Sequence, residues 1–294
     1  MADGVYLAGI HGPGSDDNTK TGLWILESGG ECAVMEMPAP NPEGPSPAET
    51  ARRIVDEKGW RCRYLLLSHP HIDHDATMGE FRRLFPEAEF PVHYSTPMFL
   101  RITEKFWSEG KRGGNDGEFN KYWKMLKSPG RNWYFHHFTS LLTDDVTALT
   151  IGGERIYAIY APKHSLGDMH YVYRGCWFPG DWWLYEGDPS DDRIASSKAV
   201  KSLELLKTFA IARDYGIHTV FPAHANNIIR NADFFDIIER TRRHHADLDA
   251  ERKSKGEIDW SEFDIRSLYY WVFQYRDAAA KRQPRSKDTK RGKK

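Results

Sequence analysis

The segment SHPHIDHD, residues 68–75, places three histidines and two aspartates in eight positions. It follows RYLLLSH (63–69), an apolar run without alternation, as expected of a strand buried on both faces. A strand end is a rigid place from which to aim ligands. In extended backbone, side chains two apart face the same side, so His69 and His71 can share one metal ion. Asp73 and His74, where the loop turns into a helix, can face a second ion close by. One ion cannot easily take all four ligands from so short a loop. Two ions can, provided the rest of the chain supplies the remaining ligands.

Three later segments offer them: His164 in APKHSLGD, Asp181 in FPGD and His224 in FPAH. Each follows an apolar strand-like run and precedes a turn or helix. Four loops at one end of a pair of sheets would then converge on one cleft. His69, His71 and His164 would hold metal one. Asp73, His74 and His224 would hold metal two, and Asp181, with two oxygens, would bridge them. Neutral imidazole and carboxylate suit zinc, iron or manganese.

The rest of the chain fits this scheme. VYLAGI (5–10), GLWILES (22–28) and CAVMEM (32–37) read as strands separated by turns. PSPAETARRIVDEKG (45–59) reads as a helix with Ser46 as N-cap, Pro47 in the first turn and Gly59 as the stop. TMGEFRRLF (77–85) resumes helical spacing and FPVHY (90–94) is a short strand. Residues 96–140 form an aromatic-rich insertion with two amphipathic helices. VTALTI, RIYAIYA, HYVYR and CWFPGD then read as strands, 195–216 as a long helix, HTVFPAH (218–224) as a strand and 231–280 as helical. Two strand-rich halves with helices between and after them imply two sheets face to face, with helices outside.

The set HxHxDH, a later His, a Gly-Asp and a final His resembles the metallo-β-lactamase superfamily in residue type, order and context over roughly residues 5–250. The resemblance implies an α/β fold, a four-layer αββα sandwich, with a dinuclear centre at one edge. One domain would then span 1–280, with the 96–140 insertion and the 231–280 helices, followed by a basic tail at 281–294. β-Lactamases of the superfamily usually carry Cys or Ser where this chain has Asp181. That makes the chain similar to the glyoxalase II-like and lactonase-like branches, although the basic glutathione-binding motif of glyoxalase II has no counterpart. The gap of 90 residues between His74 and His164 is long for the superfamily, and the insertion accounts for it.

The expected chemistry is hydrolysis of an ester, thioester or lactone by a metal-bridging hydroxide, with two divalent ions, zinc first and iron or manganese as alternatives. Asp73 would orient that hydroxide and accept its proton. Tyr185, four residues beyond Asp181, would donate to an oxyanion; its alternative is a packed aromatic. A phosphodiesterase and a di-iron oxidoreductase are the competing readings on the same fold. His170 is expected in a structural or supporting role, Asp75 as a helix-capping acid, and His11 in a solvated glycine-rich loop.

Charge narrows the partners. The tail 281–294 carries eight Lys/Arg and one Asp, so the formal net charge of −1 leaves about −8 for the rest of the chain. A mildly acidic body disfavours nucleic acid and leaves a small molecule as substrate. No run of 18 apolar residues occurs, so no membrane span is expected. Cys32, Cys62 and Cys176 read as reduced core thiols of a cytoplasmic protein. A homodimer stays open.

Overall fold

A computed structural model describes residues 3–12, 20–97, 137–161, 165, 167–182, 214–224, 229–230, 250 and 254–255. The expected insertion helices, residues 195–213 of the expected 195–216 helix, most of the 231–280 segment and the basic tail lie outside the described residues, as do His164 and Tyr185.

The first sheet has the order β1 (Val5–His11), β2 (Thr21–Ser28), β3 (Glu31–Met35), β4 (Arg61–Leu66). A parallel bridge between Tyr64 and Glu89 brings β5 (Pro91–His93) alongside β4, and β5 pairs with β6 (Ser140–Leu142). The second sheet has the order β12 (Ile229–Arg230), β11 (Thr219–Val220), β10 (Cys176–Phe178), β9 (Met169–Tyr173), β8 (Glu154–Tyr160), β7 (Val146–Ile151).

The run Leu23-Trp24-Ile25-Leu26 shows how the layers form. All four side chains are fully buried, because β2 is covered on both faces. Leu23 and Ile25 pack with Val34, Leu65 and the helix residues Ala51, Val55 and Phe81. Trp24 and Leu26 point the other way, into a core shared with Ile156, Tyr171, Phe178 and Phe221 of the second sheet. Period-two alternation thus serves two cores, one between helices and sheet and one between sheets. Each large apolar side chain removed from water in this way contributes about 1.5–3 kcal/mol. On the far face of the second sheet, Ile159, Val172 and Trp177 are also buried.

Helix α1 (Pro47–Lys58) has the expected boundaries. The Ser46 hydroxyl accepts from Glu49 N–H, and the Glu49 carboxylate accepts from Ser46 N–H, a reciprocal cap. Two strands stop earlier than their apolar runs imply. β3 ends at Met35 because Glu36 takes a left-handed φ of 70°, which turns the chain out of the sheet. β11 ends at Val220, before Pro222, which has no N–H to donate. The three cysteines are buried thiols. Among the described residues no helix is long and apolar enough to cross a membrane.

The strand directions matter most for function. β3 runs parallel to β4, so Glu36 and His69 emerge at the same edge. β10 runs parallel to β11, so Asp181 and His224 emerge together. Backbone bonds stitch the two sheets at that edge: Met169 N–H to Ser68 O (2.6 Å) and Gly22 N–H to Ala223 O (3.1 Å). The buried Tyr171 hydroxyl adds a bond to Leu67 O at 3.0 Å.

Replacing Ser46 by Ala removes one half of the α1 cap and is expected to cost about 1 kcal/mol. Urea unfolding should show a lower midpoint with unchanged slope. An unchanged midpoint would show that the cap contributes nothing.

Candidate metal centre

The loop leaving β4 carries His69 and His71, and the short helix α2 (Ile72–Asp75) carries Asp73 and His74. From the second sheet, the 3-10 turn Gly180–Trp182 after β10 brings Asp181, and the segment after β11 brings His224. Six of the seven ligand candidates read from the sequence fall among the described residues, and these loops bring all six together. His69, His71 and Asp181 offer ligand atoms within 4.8 Å of one another, and so do Asp73, His74, Asp181 and His224. Asp181 belongs to both groups.

Its carboxylate is the hub. Oδ1 lies 3.1 Å from His74 Nε2 and 3.5 Å from His224 Nε2, while Oδ2 lies 3.6 Å from His69 Nε2. The rings of His69 and His74 are 4.1 Å apart between centroids, and those of His69 and His71 4.6 Å. His69, His74, Asp181 and His224 are all buried, whereas Asp73 keeps 28% of its side chain exposed.

The opposite ring nitrogens are held from behind. His224 Nδ1 lies 2.9 Å from Lys20 O, which can accept only from an N–H, and this fixes Nε2 as the atom facing Asp181. His69 Nδ1 is 3.1 Å from Ser68 Oγ. His74 Nδ1 lies 3.3 Å from Glu36 Oε2. Such outer partners fix the tautomer and orientation of metal-ligating histidines.

Close backbone approach sets the spacing. Gly180 has φ +58°, and a Cβ there would come within 2.9 Å of Ser68 Cβ. A Cβ on Gly167 would lie 2.7 Å from Pro70 Cδ. Glycine at both places lets the second-sheet loops close onto the histidine turn.

The electrostatics fit cations. Burial alone would depress the His74 imidazole, but the carboxylates of Asp181, Asp73 and Glu36 outweigh it and hold the group well above its ordinary value. Burial also opposes protonation of His224, and Asp181 again raises it. Burial dominates at His71 and lowers it. Buried carboxylates facing several imidazoles call for positive charge, which divalent cations supply with the donor set found here.

Some residues stand differently from the sequence reading. Glu36 was missed: it is 2% exposed and reaches His74 from a strand end. Its only signal is a buried-strand pattern that ends in an acid. Asp75 is not a cap. The N-cap of α2 is His71 and that of the next helix, α3 (Met78–Leu84), is Thr77, each without a side-chain cap bond. Asp75 is instead buried, which pushes its carboxyl up to about 8, and it belongs to neither ligand group. His11 does not sit in a solvated loop; it closes β1 and is 5% exposed. His170 is fully buried on β9.

Comparison with known proteins agrees with this architecture. The chain resembles a metallo-beta-lactamase family protein from Thermus thermophilus at 19% identity and a TM-score of 0.54, covering 95% of this chain and 90% of that one. It resembles the DIM-1 metallo-beta-lactamase at 12% identity and a TM-score of 0.57, covering 84% and 95%. A flavodiiron protein from Giardia intestinalis matches at 15% identity and a TM-score of 0.53, over 83% of this chain but 58% of that one. At these identities the likeness shows the fold alone. No curated protein sequence matches significantly. The sequence profile of the metallo-beta-lactamase superfamily matches residues 38–224, from just after Glu36 to His224, and the chain belongs to that superfamily.

Proposed function

We propose that the protein is a dinuclear metal-dependent hydrolase acting on an ester, thioester or lactone. The observation that carries this reading is Asp181, one buried carboxylate shared by two groups of ligand atoms. In this reading His164, outside the described residues, completes the group of His69 and His71. Two divalent cations held there would acidify water at neutral pH and polarise the scissile carbonyl.

The chain's own residues supply the rest. Asp181 keeps both ligand groups in one frame, and the loops packed through Gly180 and Gly167 hold that frame in place. Asp73, being part-exposed, is placed to accept the proton of the attacking water. Glu36 orients the His74 ring so that Nε2 faces the centre. Tyr185 remains the proposed donor to the developing oxyanion. Superfamily members are mostly metal-dependent hydrolases. A histidine at every imidazole position of the loop favours hydrolysis over the di-iron redox chemistry of the same fold, and an aspartate at 181 favours the glyoxalase II-like and lactonase-like branches.

The direct test is turnover of p-nitrophenyl esters, thioesters, lactones and bis-p-nitrophenyl phosphate by the purified protein. Carbonyl substrates should be hydrolysed, and chelation or Asp181→Ala should abolish the rate while far-UV circular dichroism is retained. Turnover of the phosphodiester alone, or a redox-active iron pair without hydrolysis, would overturn the assignment.

Glu36→Gln keeps the shape but removes the charge behind His74. Metal affinity, measured by competition with a chelator, should fall by about 10–100-fold. Wild-type affinity in this variant would show that Glu36 has no positioning role.

A further inference from the structure

We propose that Asp168 is a positioning residue for the cation beside His69 and His71, acting through the turn that follows His164. The proposal rests on the dinuclear reading above. The segment is APKHSLGD (161–168), between β8 and β9. Its base is closed by the backbone, with Ala161 N–H donating to Asp168 O at 3.1 Å. Within it, the Asp168 carboxylate reaches back three residues. Both of its oxygens lie 2.9 Å from Ser165 N, and Oδ1 also accepts from the Ser165 hydroxyl at 2.5 Å. Gly167 N–H donates to Ser165 Oγ at 3.1 Å, and Asp168 N–H to Ser165 O at 3.4 Å. Ser165 is 1% exposed and Asp168 4%.

A connection between strands does not need a buried acid; glycine or asparagine makes a turn without one. Burying a carboxylate is costly unless hydrogen bonds compensate. Here the acid grips one particular N–H with both oxygens, in charge-assisted bonds. That N–H belongs to the peptide bond joining His164 to Ser165. The peptide unit is planar, so anchoring its N–H restrains the backbone torsion through which the His164 side chain is aimed.

The same turn is set against the histidine loop of the first sheet. A Cβ on Gly167 would meet Thr96 Oγ1 at 3.3 Å as well as Pro70. Met169 N–H, one residue after Asp168, donates to Ser68 O. Ser68 and Pro70 flank His69. Asp168 thus ties the chain next to His164 to the chain on both sides of His69, a ligand of the same cation. Glu36 acts on the other cation through a side chain, His74; Asp168 acts through the backbone.

The test is zinc affinity of the full-length protein, read by competition with a chromophoric chelator and assigned to a site by anomalous peaks from crystals at limiting zinc. Wild type should hold two ions. Asp168→Ala should weaken the ion beside His69 and His71 about 10–100-fold and leave the ion beside His74 and His224 unchanged. Asp168→Asn, which keeps an oxygen for the Ser165 N–H, should recover most of that affinity. Ser165→Ala keeps the amide bond and loses the hydroxyl bonds. It should weaken the same ion by less, and it carries the test if Asp168→Ala does not fold. Unchanged affinity at the His69 site, equal weakening of both ions, or an Asn variant no better than Ala would each overturn the proposal. A wild type holding a single ion would overturn the dinuclear reading, and the proposal with it.

Discussion

The contact on which the rest depends is the Asp181 carboxylate facing the Nε2 atoms of three buried imidazoles. Unpaired, a buried carboxylate is costly. Here it is placed where two groups of ligand atoms meet, so its negative charge helps gather cations instead of merely destabilising the core. Glu36 adds a second buried carboxylate behind His74, and Asp73 a third, part-exposed one beside it. The negative potential gathers at one edge of the sandwich, in a chain whose formal net charge is −1 over all 294 residues.

The fold's task is to bring that edge together from chain segments far apart. Parallel pairing does most of this. β3 beside β4 delivers Glu36 and the histidine turn to one edge, and β10 beside β11 delivers Asp181 and His224 to the same edge. Backbone bonds across the two sheets and the Tyr171 hydroxyl on Leu67 O then fix the two halves against each other. At the opposite end, Glu31 binds Arg63 at 3.2 Å and accepts from Gly152 N–H at 3.0 Å, which ties the first sheet to the β7–β8 turn. With both ends tied, the ligands have little freedom to move apart, which is the preorganisation a metal centre needs.

Much of this was legible in the sequence because it is carried by local patterns. Ser46 with Glu49 announces a helix start, and the unbroken LLL before His69 announces a strand buried on both faces. The histidine spacing fixes which side chains share a direction. What escaped notice depends on neighbours distant in the chain. Glu36 looks like an ordinary acid after a strand; only its left-handed backbone and the approach of His74 make it part of the centre. Asp75 looks like a helix-start acid, yet tertiary burial pushes its carboxyl up to about 8. His11 looks like loop because glycines follow it, while its pairing opposite Thr21 keeps it in the sheet.

The central claim is that two cations share Asp181. Anomalous diffraction from crystals of the zinc-loaded protein tests it directly. The account predicts two peaks about 3.5–4 Å apart, one beside His69 and His71 and the other beside Asp73, His74 and His224, with the Asp181 carboxylate between them. A single peak, or peaks that leave Asp181 uncoordinated, would contradict it.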